Sequence, residues 1–259
     1  MPVRLALVAA LALVAAACGG DDAPDPFAYD ADVPLAFSVA DEQRAGRVRI
    51  LDVSYAAAGG RVPAFLVVPA GPGPFPVVLF QHGGGSSRAD FVGEAAALAE
   101  RGAAGLAIQA PERASSRGMV VADVVAWRRA LDLVERRPDL DERHVAFVGI
   151  SFGAALGGVL AGVERRIGSY VLMSGPPEWR GETGVDALQP RDWIAKSADA
   201  RFLFQLGTQD DVVAPADGEA FFRAAPEPKE LRRYRAGHVL DEQAQRDRLA
   251  WVSERLGLG

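Results

Sequence analysis

The chain reads Gly149-Ile150-Ser151-Phe152-Gly153 near its centre, and this G-x-S-x-G pattern separates two runs of different character. The run at 144–148 is apolar and rich in β-branched and aromatic residues, whereas the run at 154–160 is rich in small residues. This order predicts a buried strand, a sharp turn and a helix, which is the context that exposes a nucleophilic serine. Flanking glycines remove the side chains that would clash in such a turn. We therefore expect Ser151 to be a nucleophile.

A glycine-rich loop lies upstream of the serine. The apolar run at 76–80 has the composition of a buried strand, and Gln81-His82-Gly83-Gly84-Gly85 follows it. A loop of this kind can direct backbone N–H groups toward an oxyanion, although it is also compatible with a strand-to-helix turn without chemistry. We expect the oxyanion hole to use the N–H groups of Phe152 and of Gly84 or Gly83.

Two downstream loops supply a candidate acid and a candidate base. An apolar run at 202–206 ends in a glycine, and Asp210 follows three residues after that glycine, with Asp211 as the adjacent alternative. His238 lies in a loop after a short strand-like run at 231–234. The other two histidines precede the candidate acid, so His238 is the expected general base.

Together these segments resemble the α/β-hydrolase superfamily, and within it the serine esterases related to dienelactone hydrolase. The resemblance covers residues 45–257 and rests on the phrases VVLFQHGGG, LAERGAAGLAIQAPE, DERHVAFVGISFGA, FLFQLGTQDDVVAP and YRAGH. The order serine, aspartate, histidine is that of the superfamily. Its G-x-x-D spacing favours Asp210 over Asp211. Dienelactone hydrolases themselves carry a cysteine nucleophile, so Ser151 indicates a serine ester hydrolase instead. The resemblance implies no cofactor.

The pattern of runs predicts an α/β fold in which strands and helices alternate. This alternation is typical of a mostly parallel sheet with helices on both faces. The segments 47–53 and 61–68 are predicted to form an antiparallel pair at one edge of the sheet. The irregular stretch at 174–201 is interpreted as a short cap. Its two tryptophans, Trp179 and Trp193, either wall the substrate pocket or pack the cap onto the core.

Composition limits the remaining classes of function. The 259 residues carry a formal net charge of −6, which gives no basic surface for nucleic acid. One cysteine and three scattered histidines do not form a spaced set of metal ligands, and a single cysteine cannot form an internal disulfide. A small-molecule ester is the expected partner, and nothing in the sequence indicates an oligomeric state.

The N-terminus is typical of an export signal. Arg4 precedes an apolar run at 5–17 that is too short to span a bilayer, and Cys18 follows it directly. This arrangement resembles a bacterial lipoprotein signal, in which Cys18 is lipidated and anchors the protein to a membrane. Ordinary signal cleavage and secretion are the alternative. We divide the chain into a signal peptide (1–17), a tether (18–40) and a hydrolase domain (41–259).

The sequence therefore predicts a secreted or membrane-tethered serine hydrolase that cleaves carboxylic esters through an acyl-enzyme. A peptidase or thioesterase of the same fold is one alternative. A surface lipoprotein that binds ligands without catalysis is another, and the complete serine, aspartate and histidine set argues against it.

Overall fold

One nine-stranded sheet organises the protein in the computed structural model, which describes residues 25–109, 116–181 and 183–259. The strands are β1 (Ser38–Ala45), β2 (Val48–Ala57), β3 (Gly60–Pro69), β4 (Phe75–Gln81), β5 (Ala104–Ile108), β6 (Leu140–Ile150), β7 (Ser169–Met173), β8 (Arg201–Gly207) and β9 (Lys229–Tyr234). Their order across the sheet is β1-β2-β3-β5-β4-β6-β7-β8-β9.

The sheet is antiparallel at one edge and parallel elsewhere. Strands β1, β2 and β3 pair antiparallel, β3 meets β5 antiparallel, and every pair from β5 to β9 is parallel. The predicted hairpin is β2 and β3, which confirms the antiparallel edge. Strand β1 extends this edge beyond the prediction. All of its residues are exposed, so it lacks the apolar alternation by which a strand is recognised in sequence.

Helices cover both faces of the sheet, as the alternation of runs predicts. They are α1 (Val92–Ala99), α2 (Arg117–Glu135), α3 (Phe152–Val163), α4 (Pro190–Ile194), α5 (Pro215–Ala224) and α6 (Glu242–Arg255), with 3₁₀ turns η1 (Arg88–Phe91) and η2 (Asp186–Leu188).

Strand β4 shows how the two layers form. Val77 and Leu79 point into one apolar cluster with α2 and α3, whereas Val78 and Phe80 point into a second cluster with α1 and α6. Alternate residues of a strand face opposite sides of the sheet, so an uninterrupted apolar run supplies both cores.

The segment before β1 differs from the predicted tether. Phe27 is fully buried, and its ring lies 5.1 Å from that of Trp193 in an edge-to-face contact. The Tyr29 hydroxyl donates a hydrogen bond to Asp132 on α2 over 2.9 Å. Residues 25–37 therefore belong to the folded unit, and the boundary predicted at residue 41 falls inside β1. The signal peptide, Cys18 and the rest of the tether lie outside the described residues.

The parallel strands place four loops at one rim of the sheet. Strands β4, β6, β8 and β9 end next to the glycine loop, Ser151, Asp210 and the His238 loop, respectively. The carboxyl ends of parallel strands share one edge, which is where open α/β sheets bind ligands.

Within 25–109, 116–181 and 183–259, no helix combines the length and the apolar character that a membrane-spanning helix requires. That part of the chain also contains no group of three or more His, Cys, Asp or Glu side chains placed to hold a metal ion.

Candidate active site

Ser151 occupies a strained turn between β6 and α3. Its backbone angles are φ 55° and ψ −117°, a region that residues with a Cβ rarely adopt. The turn is held by a hydrogen bond from the Ser151 N–H to the Met173 carbonyl on β7, over 2.8 Å. A Cβ on Gly153 would collide with the carbonyl oxygens of Gln81 and His82, so this position requires glycine. The serine thus projects from a fixed backbone.

His238 is paired with Asp210. The Nδ1 atom of His238 lies 2.9 and 3.0 Å from the two carboxylate oxygens of Asp210. Asp210 is buried, whereas Asp211 is exposed. The structure therefore brings Asp210, and not Asp211, against the histidine. A proton on Nδ1 would leave Nε2 free to accept another.

The Asp210 carboxylate is kept ionised by its hydrogen bonds. Burial alone would raise the pKa of Asp210, but donors from Val213, His238 and Val212 outweigh that effect and lower the pKa below its ordinary value. The N–H groups of Val212 and Val213 each lie 2.9 Å from Oδ1. An acid fixed in its charged form can orient the imidazole and stabilise its cation.

Close backbone contact joins the two loops that carry this pair. The N–H of Thr208 donates to the Tyr234 carbonyl over 2.8 Å, and the N–H of Gln209 donates to the Ala236 carbonyl over 3.0 Å. A Cβ on Gly207 would overlap the carbonyl oxygens of Ala236 and Gly237. Glycine at the end of β8 is therefore what permits the acid loop to reach the histidine loop.

Ser151 and His238 line the same two cavities. Across the described ranges no hydrogen bond joins these two side chains. Catalytic hydrogen bonds are often long in ligand-free enzymes and shorten when substrate binds. The arrangement is thus a carboxylate–imidazole pair, Asp210 and His238, that borders the same open site as the serine.

The predicted oxyanion donors lie beside the serine. Gly84 lines both cavities, and Gly83 lines the second one, where a Cβ added to it would lie 3.5 Å from that of Ser151. Phe152 is the first residue of α3, so its N–H has no acceptor within the helix.

The sequence did not reveal what supports this glycine loop. The buried His82 ring makes a 2.8 Å contact from Nδ1 to the Gly83 carbonyl, and Trp127 Nε1 donates to Gln81 Oε1 over 2.8 Å. The signal available in sequence was a polar Gln-His pair directly before the glycines. His144 is different, because it is exposed and contacts Asp141 at the start of β6.

Two cavities meet at Ser151. The first cavity has a volume of about 400 Å³ and is bounded by Phe152, Trp179, Arg180, Val212, Val213 and Asp217. The second cavity has a volume of about 300 Å³ and is bounded by Phe91, Glu94, Ile150, Met173, Val239 and Arg248. Such volumes suit small-molecule ligands.

The two cap tryptophans have different positions. Trp179 lines the first cavity, and its ring lies 5.5 Å from that of Phe152. Trp193 lies outside both cavities and packs instead against Phe27 and Lys196. Of the two positions considered for Trp193, the structure shows packing of the cap onto the core, because Phe27 of the N-terminal segment provides the apolar surface that Trp193 covers.

The fold and the elbow define the protein as an α/β-hydrolase. The family model "Esterase FrsA-like" matches residues 9–177, more than half of the chain. The protein belongs to this FrsA-like esterase family, and it is a carboxylic ester hydrolase. The matched region contains Ser151 and the glycine loop and ends before the loops that carry Asp210 and His238.

Solved structures share the fold. An acetyl xylan esterase from Paenibacillus sp. R4 is 21% identical with a TM-score of 0.73, covering 85% of this chain and 89% of that one. A cold-adapted esterase from an Arctic intertidal metagenomic library is 21% identical with a TM-score of 0.72, covering 85% and 99%. A candidate dienelactone hydrolase from Klebsiella pneumoniae subsp. pneumoniae is 17% identical with a TM-score of 0.68, covering 80% and 99%. No curated protein matches the sequence.

Proposed function

We propose that this esterase acts through a triad of Ser151, His238 and Asp210. The observation that carries the proposal is the placement of a histidine, held by a buried carboxylate, on the rim of the cavities into which a strained serine projects. Strained backbone is rarely retained without a function, and this arrangement of acid, base and nucleophile is recognised by geometry and roles.

The reaction begins with proton transfer. His238 Nε2 takes the proton of the Ser151 hydroxyl as Oγ attacks the carbonyl carbon of the ester. The N–H groups of Phe152 and of Gly84 or Gly83 stabilise the negative charge that develops on the carbonyl oxygen. The imidazolium then gives its proton to the departing alcohol, which leaves an acyl group on Ser151. Water, activated by the same histidine, releases the carboxylic acid.

Replacement of the serine tests this proposal. Ser151→Ala is expected to reduce kcat/KM for a p-nitrophenyl ester about 10³-fold or more. Ser174→Ala is the matched control, because Ser174 also follows the end of a strand with a positive φ, of 47°, but is buried and lies outside both cavities. Full activity in Ser151→Ala would eliminate the proposed nucleophile. Equal, negligible rates in wild type and Ser151→Ala would instead favour a binding protein without catalysis.

We also propose that the enzyme is exported and anchored through Cys18. The support is the apolar run at 5–17, followed directly by the single cysteine of the chain. Metabolic labelling with a fatty-acid analogue should mark the wild-type protein in the membrane fraction, and Cys18→Ser should abolish that label. Absence of label in wild type would favour ordinary secretion.

A further inference from the structure

The imidazole of His82 is held in one orientation beside the glycine loop. His82 is 2% exposed, and its ring contacts the Gly83 carbonyl, 2.8 Å from Nδ1, and the Gln109 amide, 3.3 Å from Nε2. The Oε1 atom of Gln109 accepts the N–H of Arg88 over 3.1 Å, which places the amide nitrogen of Gln109 against the ring. A carbonyl only accepts and an amide nitrogen only donates, so the ring carries its hydrogen on Nδ1 and accepts at Nε2.

The hydrogen bond from His82 fixes the direction of one peptide group. The Gly83 carbonyl accepts the Nδ1–H of His82 and also the N–H of Ser86, over 3.3 Å. The peptide bond between Gly83 and Gly84 is trans, so the N–H of Gly84 points opposite to that carbonyl. Gly84 borders both cavities together with Ser151, and its N–H has no acceptor within the part of the chain that the structure describes. The N–H of Gly84 is therefore available to an oxygen atom in the site.

The preceding peptide group points in a different direction. A Cβ on Gly153 would lie 2.8 Å from the His82 carbonyl oxygen, so this oxygen faces the first turn of α3. The N–H of Gly83 belongs to the same peptide group and therefore points away from α3. An oxyanion hole requires donors that converge on one oxygen atom, and the other expected donor, Phe152, is the first residue of α3. These directions favour Gly84 over Gly83 as the partner of Phe152.

We propose that His82 is a positioning residue of the ester hydrolysis, which holds the Gly83 carbonyl and so directs the Gly84 N–H to the carbonyl oxygen of the substrate. This inference rests on the proposed function, because it places the ester carbonyl at Ser151. The hydrogen bond from Gly84 strengthens as negative charge develops on the oxygen. Loss of the His82 contact should therefore lower kcat and leave KM nearly unchanged.

Two variants of similar shape test the role of the Nδ1–H group. His82→Asn keeps a nitrogen donor near the position of Nδ1, whereas His82→Leu has the same branched shape without a donor. We expect His82→Leu to lower kcat about 10²-fold with KM within about threefold of wild type, because loss of one oxyanion donor has an effect of this order. His82→Asn should recover most of that loss. An equal loss of kcat in the two variants would overturn the proposal.

A second readout separates positioning from a loss of folded enzyme. p-Nitrophenyl acetate and its thiono analogue differ only in the carbonyl atom, and sulfur is a weaker acceptor than oxygen. The ratio of kcat/KM for the ester to that for the thionoester does not depend on the fraction of enzyme that is folded. This ratio should fall about tenfold or more in His82→Leu and stay within about threefold of wild type in His82→Asn. An unchanged ratio in His82→Leu would show that His82 only stabilises the fold.

Tyr55→Phe is the control for the loss of a buried donor. The Tyr55 hydroxyl donates to the Ala126 carbonyl over 2.9 Å, and Tyr55 is fully buried and borders neither cavity. This variant should have a lower melting temperature, while kcat and the ratio stay within about twofold of wild type.

Gly84→Pro tests the same N–H group if His82→Leu does not fold. Gly83–Ser86 form a turn in which Gly85 has a φ of 77°, as the third residue of a type II turn requires, and proline is favoured at the second position. The variant thus deletes the Gly84 N–H and keeps the turn, and kcat should fall at least as far as in His82→Leu. Wild-type kcat in Gly84→Pro would overturn the proposal. If wild type cleaves neither ester, the proposed function itself fails, and that outcome differs from the others.

Discussion

The two cavities that flank the nucleophile differ in where they keep their charge. In the first cavity Arg180 and Asp217 form an ion pair at the rim, with side-chain exposures of 65% and 26%. In the second cavity the side chains of Arg248 and Glu94 are 9% and 8% exposed. Water screens an exposed pair, whereas a buried pair retains its interactions. The first cavity therefore has its ion pair in contact with solvent, whereas the ion pair in the wall of the second cavity is shielded from solvent.

The residues that carry out the reaction can be distinguished from the residues that select the substrate by the cavities they line. Ser151, His238 and Gly84 line both cavities, so a change in any of them should affect every ester. Residues that line a single cavity should affect only the part of the ester that enters it. Val212 borders the first cavity and Val239 borders the second, and both side chains are strongly exposed.

After Ser151, Asp210 is expected to have the largest effect on activity, because it holds the histidine that borders both cavities. Asp210→Asn should lower kcat about 10⁴-fold, because an amide favours the wrong tautomer of His238. Asp211→Asn should change kcat by less than about threefold, since Asp211 is exposed and the carboxylate bonded to His238 is that of Asp210. Steady-state kinetics on one ester compare the two variants. The opposite ranking would transfer the acid role to Asp211.

The pH dependence of activity should also be common to all esters. The pKa of Asp210 lies below its ordinary value, so Asp210 remains ionised through the neutral range. Loss of kcat/KM as pH falls from neutral must then come from protonation of His238, with a slope of about tenfold per pH unit. Activity should be best at neutral to mildly alkaline pH. A profile that is flat down to about pH 4 would exclude a histidine base.

Asp123 provides a control for this pH experiment. Burial raises the pKa of Asp123 to about 7, and Asp123 lines a third cavity away from Ser151. A carboxyl whose pKa is raised on folding stabilises the fold at low pH, and this stability is lost as pH rises from about 4 to 7. The full shift corresponds to roughly 4 kcal/mol.

Asp123→Asn should therefore remove this pH dependence of the melting temperature while it preserves the acid limb of kcat/KM. Thermal unfolding and kinetics across the same pH range check both statements. An acid limb that disappears in Asp123→Asn would show that Asp123, and not His238, controls the activity.

The smallest expected effect concerns one cavity alone. Trp179→Leu should lower kcat/KM about two- to tenfold for esters whose substituent fills the first cavity, because an aromatic contact is lost. Trp193→Leu should leave kcat/KM within about twofold and lower the melting temperature, since Trp193 packs on Phe27. Equal kinetic effects in the two variants would contradict the division between cavity wall and core.

Local patterns predicted the elements that position the site. The run before Ser151 and the glycines around it required only neighbouring residues, so the strand, turn and helix could be inferred from sequence. The parallel order of the strands then placed Asp210 and His238 on the same rim. Strand β1 was missed because it is exposed throughout and mostly polar.

Other features depend on contacts between distant residues. Glu94 and Arg248 are 154 positions apart, and each lies on a helix among residues that gave no reason to pair them. Trp179 and Trp193 were equivalent in sequence because the cap has no periodicity. In the structure Trp193 packs on Phe27, from a segment rich in Asp and Pro, whereas Trp179 lines the first cavity.

The most direct test is to locate the covalent intermediate. Wild-type enzyme treated with a fluorophosphonate, digested and analysed by mass spectrometry should carry the adduct on the peptide that contains Ser151. His238→Ala should react much more slowly, because the base that activates the hydroxyl is missing. An adduct on Ser174 or on any other residue, or the absence of an adduct from an enzyme that still cleaves esters, would contradict a Ser151 nucleophile.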